Sequence, residues 1–332
     1  MTDETPTAVQ YGIGPIGSRI ANAAHRTGFE FVGAVDIDPE KVGSDLGEVA
    51  GFGESVGVEV TDDAAAALAA DPDVVFHSTV SDVETALPQL LEIVESGANI
   101  VSTTEELAYP QWAAPDAAVE LDEAATDNGA TVLGTGINPG FVMDTMPAFL
   151  STPMASVDRV TVERVQDAAS RREPLQRKVG AGVTVEAFER EIATEAGHVG
   201  STESVAMLGD ALSFDIDDIE ETIEPVIAED RVETEYLTVE AGEVAGIRQV
   251  ARGYADGEER ITLDLQMYVG ADEPRDEVHF ESEPPVSVTV DGGYHGDVST
   301  SAVVANVAPT VIAAEPGLRS MTDLIPTFTR EV

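Results

Sequence analysis

Six short apolar runs punctuate the first 137 residues, at 8–11, 29–35, 58–60, 74–78, 99–101 and 131–133. Between them, at 16–26, 39–46, 63–70, 83–96 and 115–128, apolar residues recur at helical spacing. Gly28, Gly97 and Gly129 follow three of these stretches as C-terminal stops, and Asp38 and Asp82 stand where N-caps belong. Runs this short and this apolar are the mark of strands buried on both faces, and their alternation with helices predicts a parallel, doubly wound sheet. The pattern changes near Asn138. A short helical stretch at 141–150 precedes an alternating strand at 157–165 and helical stretches at 183–197 and 202–214. From 233 to 290 several strands follow one another, with turns at Ala241-Gly242, Asp256-Gly257 and Glu283-Pro284-Pro285, before a helix at 303–314. The expected fold is α/β: a Rossmann domain over 1–137, then an α+β domain over 138–301 with a mainly antiparallel open sheet. Residues 302–332 would form a C-terminal helix returning to the Rossmann domain.

Composition narrows the class. The chain of 332 residues is 43% hydrophobic, enough for two cores, and no apolar run approaches the ~18 residues of a membrane span. Its N-terminal residues show no cationic start and no apolar signal region, so a cytoplasmic protein is expected. There are no cysteines, which excludes disulfides, thiolate metal sites and a cysteine nucleophile. Charge is the extreme feature: 63 Asp and Glu face 17 Lys and Arg, for a net −46, and the only lysines are Lys41 and Lys178. Disorder conflicts with the sustained apolar periodicity. A globular protein of a salt-rich, halophilic cytoplasm fits, because at ~1 M salt the Debye length falls to ~3 Å and self-repulsion is screened. The same charge argues against nucleic-acid or anionic-membrane partners.

The first apolar run leads into Gly12-Ile13-Gly14-Pro15-Ile16-Gly17, a G-x-G-x-x-G pattern, and the second ends at Asp36, 24 residues after Gly12. Gly12 permits a tight strand-to-helix turn, Gly14 lets backbone approach a pyrophosphate, and Gly17 lets helix and strand pack closely. The N–H groups of the helix start would receive the diphosphate, and Asp36 the adenosine ribose. In a doubly wound sheet ligands lie beyond the carboxyl ends of the strands. The expected cofactor contacts are therefore Gly12, Gly14, Pro15, Ile16, Gly17, Asp36, Ser78, Thr79, Thr103 and Asn138. The cofactor is NAD or NADP; Asp36 favours NAD because a carboxylate repels a 2′-phosphate, while Arg19 leaves NADP open. His77 stands at the same edge, either as a cofactor contact or as a hydrogen-bonded core residue.

Four of the seventeen cations fall within Arg171–Lys178: Arg171, Arg172, Arg177 and Lys178. In so acidic a chain this island points to an anion: a substrate carboxylate, a cofactor phosphate or a neighbouring acidic surface. Arg suits bidentate carboxylate binding, and a lysine can move protons. His198 precedes Glu203 at the start of a predicted helix, a place for a neutral imidazole or a bound carboxylate. His295 lies where the chain returns to the first domain. His25 and His279 read as structural or surface residues. No spacing of histidines and acids argues for a metal.

Residues 12–17, 45–48, 102–110, 134–144, 171–182, 197–204, 293–297 and 314–318 together resemble the 2,4-diaminopentanoate dehydrogenase family, within the wider dihydrodipicolinate reductase-like superfamily. The resemblance implies an NAD(P)-dependent enzyme that oxidatively deaminates an amino or diamino acid. Lys178 and His198 would transfer a proton or bind a carboxylate, Glu203 would hold an ammonium, and Arg171, Arg172, Arg177 and His295 would bind substrate. The chain lacks the His-His pair of dihydrodipicolinate reductases; Gln176-Arg177-Lys178 stands there instead. Reduction of a cyclic imine or unsaturated dicarboxylate is the second expectation, and an NAD(P)-sensing protein without turnover the third. A small-molecule amino acid or imine is the expected partner, and an open sheet suggests a homodimer or tetramer. The charge yields a direct expectation: the melting temperature rises from dilute buffer to molar KCl, and a melting temperature indifferent to salt refutes it.

Overall fold

In the computed structural model, which describes residues 5–192 and 197–324, strand and helix alternate through the first part of the chain. The elements are β1 (Thr7–Tyr11), α1 (Pro15–Arg26), β2 (Glu30–Val35), α2 (Leu46–Ala50), β3 (Val60–Thr61), α3 (Ala64–Leu68), β4 (Val74–His77) and α4 (Val83–Glu95). They continue with β5 (Asn99–Ser102), α5 (Pro110–Ala113), α6 (Pro115–Asn128) and β6 (Thr131–Gly134). Next come α7 (Thr145–Leu150), β7 (Ser156–Asp167), α8 (Glu173–Lys178), α9 (Val185–Glu191), α10 (Ser201–Ala211) and β8 (Asp218–Ile227). The short β9 (Val232–Glu233) and β10 (Thr238–Val239) precede β11 (Val244–Ala255), β12 (Glu258–Tyr268), β13 (Arg275–Glu283) and β14 (Val286–Asp291). The chain closes with α11 (Gly296–Ile312) and β15 (Gly317–Arg319).

Two compact units result, one of residues 1–141 with 295–332 and the other of 142–294. The first holds a seven-stranded sheet in the order β15-β6-β5-β4-β1-β2-β3, every neighbouring pair parallel. Its central strands are continuous apolar runs because helices cover both faces. On one face α1 presents Gly17, Ile20, Ala21 and Ala24, at helical spacing, and packs with Val304, Ala305, Ala308 and Val311 of α11. Phe29 and Phe76 meet edge to face in the same cluster, 5.3 Å between ring centres. The other face is closed by Leu90 and Ile93 of α4 and Leu121 of α6. In the second unit a six-stranded sheet runs β14-β13-β7-β12-β11-β8, antiparallel except where β7 lies beside β12. Phe188, Val179, Ile247 and Met267 form part of its core.

Four local expectations differ from the structure. Residues 39–44 are turns and bends, and the helix begins at Leu46. Asp45 decides this, since its carboxylate accepts from Gly47 N at 2.8 Å and also holds Ser55, Val56 and Gly57. Asp38 consequently caps a turn, through Glu40 N, and no helix. The last helix starts at Gly296, seven residues before the apolar stretch, where buried Asp297 and Ser301 and the bond from Ile137 N to Thr300 Oγ1 hold small polar residues that have little helical propensity. Strands β8 and β15 had no clear signal: β8 shows an acidic, largely exposed side, and β15 is three residues long. Part of the expected helix at 183–197 lies outside the described residues; α9 accounts for Val185–Glu191.

The clearances at the first turn are testable. A Cβ on Gly17 would lie 2.0 Å from Gly12 O and 2.5 Å from Ser78 Oγ, whereas one on Gly14 would meet nothing within 4 Å. Gly17→Ala should therefore cost about 3 kcal/mol, the upper range for overpacking. Gly14→Ala should stay within about 1 kcal/mol of the parent. Denaturant titration in molar KCl compares them; equal stabilities would contradict the close packing.

Candidate active site

Strand order reverses beside β1, which has β2 on one side and β4 on the other, so the crevice at their carboxyl ends is the topological switch point. The glycine-rich turn fills it. Gly12 adopts φ 86°, and its carbonyl accepts from Ser78 Oγ at 2.8 Å and Gln10 Nε2 at 2.9 Å. Gln10, fully buried, also donates to Phe76 O. Ser78 is thus a brace for the turn. α1 begins at Pro15 with Gly14 as N-cap, and no side chain caps it. Open space at Gly14 and an uncapped helix start suit the diphosphate of a dinucleotide, which the N–H groups of this turn would hold.

Asp36 follows β2 and organises the neighbouring loop. Its Oδ2 accepts from Ile13 N at 2.8 Å and from Lys41 Nζ at 3.0 Å, and its Oδ1 accepts from Asp38 N at 2.9 Å. Burial alone would raise this carboxyl, but the Asp38 and Ile13 N–H groups and the Lys41 ammonium outweigh it and hold it below the usual range. Lys41 also pairs with Asp38 at 3.4 Å. Lys41 was not among the expected site residues, although its place as one of two lysines, five residues beyond Asp36, is a usable signal.

His77 is a core residue. It is 0% exposed, with Nδ1 at 2.8 Å from Ser102 Oγ and Nε2 at 2.9 Å from Gln89 Oε1 and 3.0 Å from Thr79 Oγ1. Ser102 Oγ accepts from Thr104 N and Gln89 offers an acceptor, which together assign the proton to Nε2. Burial pushes this imidazole down to about 4. Thr79 itself is exposed at the edge, and Thr103 N donates to His77 O at 3.0 Å. At the ends of β5 and β6 the same edge carries two carboxylates and two orphaned oxygens. Glu106 accepts from Val83 N at the start of α4. Glu105, half-buried, has no hydrogen bond or ion pair among the described residues. Asn138 Oδ1 and Thr135 Oγ1 are buried without a hydrogen-bond partner among the described residues.

The second unit holds the rest of the expected residues. Arg177, on α8, is turned to Glu173 in an exposed i,i+4 pair at 2.7 Å. Lys178 ends the same helix, exposed, with no carboxylate partner among the described residues, and Arg171 and Arg172 precede it, each with interactions of its own. His198 lies three residues before α10, its backbone N–H and carbonyl both bonded to Gln249 at 2.6 and 2.9 Å. Glu203, 3% exposed, sits in the first turn of α10 and accepts from Thr202 Oγ1. Next to it Ser204 donates to the fully buried Asp144 at 2.7 Å. Asp144 had been passed over within the motif ending at that residue.

A buried ion pair fixes the end of this unit. Arg164 Nη1 and Asp276 Oδ1 are 2.6 Å apart; Arg164 Nη2 donates to Tyr294 O and Asp276 Oδ2 accepts from Tyr294 N, each at 2.7 Å. Burial raises the Asp276 carboxyl and lowers the Arg164 guanidinium against their mutual attraction. Both faces of the Tyr294 peptide backbone are thus clamped one residue before His295, which is exposed and N-caps α11. His25 stacks on Phe52 at 4.4 Å and His279 bonds Ser287, so both are structural. No group of acids and histidines among the described residues could hold a metal.

A parallel sheet with a glycine turn at its switch point, an acid after β2 and a second sheet-bearing unit defines an NAD(P)-dependent dehydrogenase. Residues 141–329 match the family of the 2,4-diaminopentanoate dehydrogenase C-terminal domain. A 2,4-diaminopentanoate dehydrogenase of Acetoanaerobium sticklandii is 33% identical over 259 residues, 76% of this chain and 73% of that protein. The chain belongs to the 2,4-diaminopentanoate dehydrogenase family, whose chemistry is oxidation at a carbon–nitrogen bond. An amine dehydrogenase from Mycobacterium smegmatis superposes with a TM-score of 0.85 at 27% identity, covering 99% of this chain and 98% of that one. A dihydrodipicolinate reductase from Paenisporosarcina sp. TG-14, at TM-score 0.56 and 13% identity over 97% of this chain and all of that one (100%), shares the fold.

Buried His77 makes stability depend on pH. Its folded value of about 4 lies below the ordinary 6.5, so the unfolded chain binds more protons between the two. Its contribution is present above 6.5 and is lost as pH falls toward 4, by about 3 kcal/mol. Denaturation midpoints across this window should fall less steeply for His77→Asn than for the parent; identical slopes would show that His77 does not titrate this way.

Proposed function

We propose that the protein oxidatively deaminates a small amino or diamino acid, with its first unit binding the dinucleotide and its second unit the substrate. The amine's carbon–nitrogen bond is oxidised to an imine, two electrons and a proton leaving as hydride, and water converts the imine to ketone and ammonium. Bound in the switch-point crevice, NAD(P) supplies the hydride acceptor at its nicotinamide ring. The backbone of Gly12, Gly14, Pro15, Ile16 and Gly17 holds the diphosphate, while Ser78, Thr79, Thr103 and Asn138 line the same edge. The orphaned Asn138 oxygen is an acceptor in search of a donor there. Asp36 favours NAD over NADP, and Lys41, its ion partner, supplies a compensating cation that keeps the preference modest.

The observation that carries the reading is the agreement of fold and length with an amine dehydrogenase over nearly the whole chain, joined to one carboxylate. A substrate ammonium requires an anion. Glu203, nearly buried in the first turn of α10, is the acid for that ammonium in the second unit. In the first unit Glu105 is the carboxylate left uncommitted at the sheet edge, Asp36 being held by Lys41 and Glu106 by a helix start. Lys178 and His198 are the groups for taking the proton, and Arg171, Arg172, Arg177 and His295 bind the substrate carboxylate. With a net charge of −46 the enzyme works in a salt-rich cytoplasm, as a homodimer or tetramer.

A panel of amino and diamino acids with NAD and NADP, assayed in molar KCl by the absorbance of reduced nicotinamide, tests this. Turnover with a short amino or diamino acid is expected; NADH binding without turnover on any amine would identify a sensor. Glu105→Gln and Lys178→Met should each lower kcat/KM about 100-fold, the scale of a lost proton-transfer or charge partner. NADH affinity should be unchanged in both; loss of affinity with normal turnover at saturation would sink these assignments.

A further inference from the structure

Two arginines on α1, one just beyond the glycine turn and one at the far end of the helix, stand out against the charge balance. Arg19 and Arg26 lie on α1, both exposed, and neither makes a hydrogen bond or ion pair among the described residues. Outside the Arg171–Lys178 island, and apart from Arg319, which donates to backbone carbonyls, every other described Lys or Arg faces a carboxylate. With 63 acids in the chain, leaving two guanidinium groups unmatched in one place is contrary to the composition.

Both line one groove of about 990 Å³, bounded by α1, α11 and the segment carrying Phe52 and Glu54. Seven residues separate them, so they share a helix face about 10 Å apart. Between them the wall is mixed, with Ala23, Phe52, Val298 and Ala302 supplying its apolar part beside Asn22 and Ser301. Val298 is 53% exposed, unusual for valine on a helix whose other face is core. Glu54, the acid of the groove, is taken up by His25 at 3.4 Å. The groove runs along α1 from Ser18, the residue after the glycine turn, to Thr27 at the opposite end of the helix.

We propose that this groove is a second ligand site, separate from the dinucleotide crevice, for a small organic polyanion that sets two acidic groups on Arg19 and Arg26 and an apolar body between them. The volume is that of a small-molecule pocket. Arginine is suited to the task in high salt, because bidentate contact with a carboxylate or phosphate survives where long-range attraction is screened. The acidic groups can come from phosphates or from carboxylates. Charges split across about 10 Å favour an α,ω-dicarboxylate over a compact phosphate chain.

Isothermal titration of the full chain, saturated with NADH so that the dinucleotide site is filled, distinguishes the sources, with ATP in one arm and suberate in the other. At least one should bind, and the affinity should fall tenfold or more in the R19Q/R26Q double variant. Val298→Asp, which places a negative charge on the apolar wall at an exposed position, should weaken the same arm independently. Failure of both probes to bind, or equal affinity in the variants, overturns the proposal. So does a change of mass in light scattering when Arg19 and Arg26 are replaced, which would assign the groove to contact with a second copy of the chain.

Discussion

The first unit is organised by the absence of room at one carbonyl. Gly12 O is contacted by Ser78 Oγ and Gln10 Nε2, while Gly12 N donates to Val35 O, so the turn is tied at once to β1, β2 and β4. Any side chain at Gly12 would collide with Ser78 O at 2.4 Å, and any at Gly17 with Gly12 O at 2.0 Å. This close approach sets the start of α1, brings Ile13 N to the Asp36 carboxylate, and leaves the helix end uncapped and open. The electrostatics of the crevice follow from that geometry: N–H groups converge on one side, a carboxylate with its lysine stands on the other, and a neutral buried histidine supports the next strand.

Much of this was legible in the residues because steric demands on glycine are local. The spacing Gly12, Gly14, Gly17, the strand before it and the acid after β2 could be read together, and the parallel sheet followed from short apolar runs. Errors arose where a single polar side chain or distant packing overruled periodicity. Asp45 gathers four hydrogen bonds and moves a helix from 39–46 to Leu46–Ala50. In α11, burial of Asp297 and Ser301 and the bond from Ile137 N to Thr300 go with a helix of Gly-Asp-Val-Ser-Thr-Ser, which has little tendency to form one alone.

The substrate side was less legible for a related reason. Basic residues at 171–178 were conspicuous in so acidic a chain, but spacing alone did not show that Arg177 also pairs with Glu173 one turn earlier. Nor did it separate Glu105 from Glu106, adjacent acids of which one caps a helix. Asp144 takes its significance from Ser204, sixty residues along the chain and beyond any local pattern, whereas Lys41 lies only five residues from its partner Asp36.

The clamp on Tyr294 has a bearing on how such a chain tolerates its surroundings. Mobile ions screen what they can approach, and the surface, with its large excess of acids, changes its energy with every change of electrolyte. Arg164 and Asp276, 3% and 0% exposed, are beyond that reach, and the attraction between them is set by protein alone. The junction where the chain leaves one unit for the other is therefore insulated from the medium. Whatever the electrolyte does at the acidic surface, the path of the backbone into His295 is written in contacts that salt does not enter.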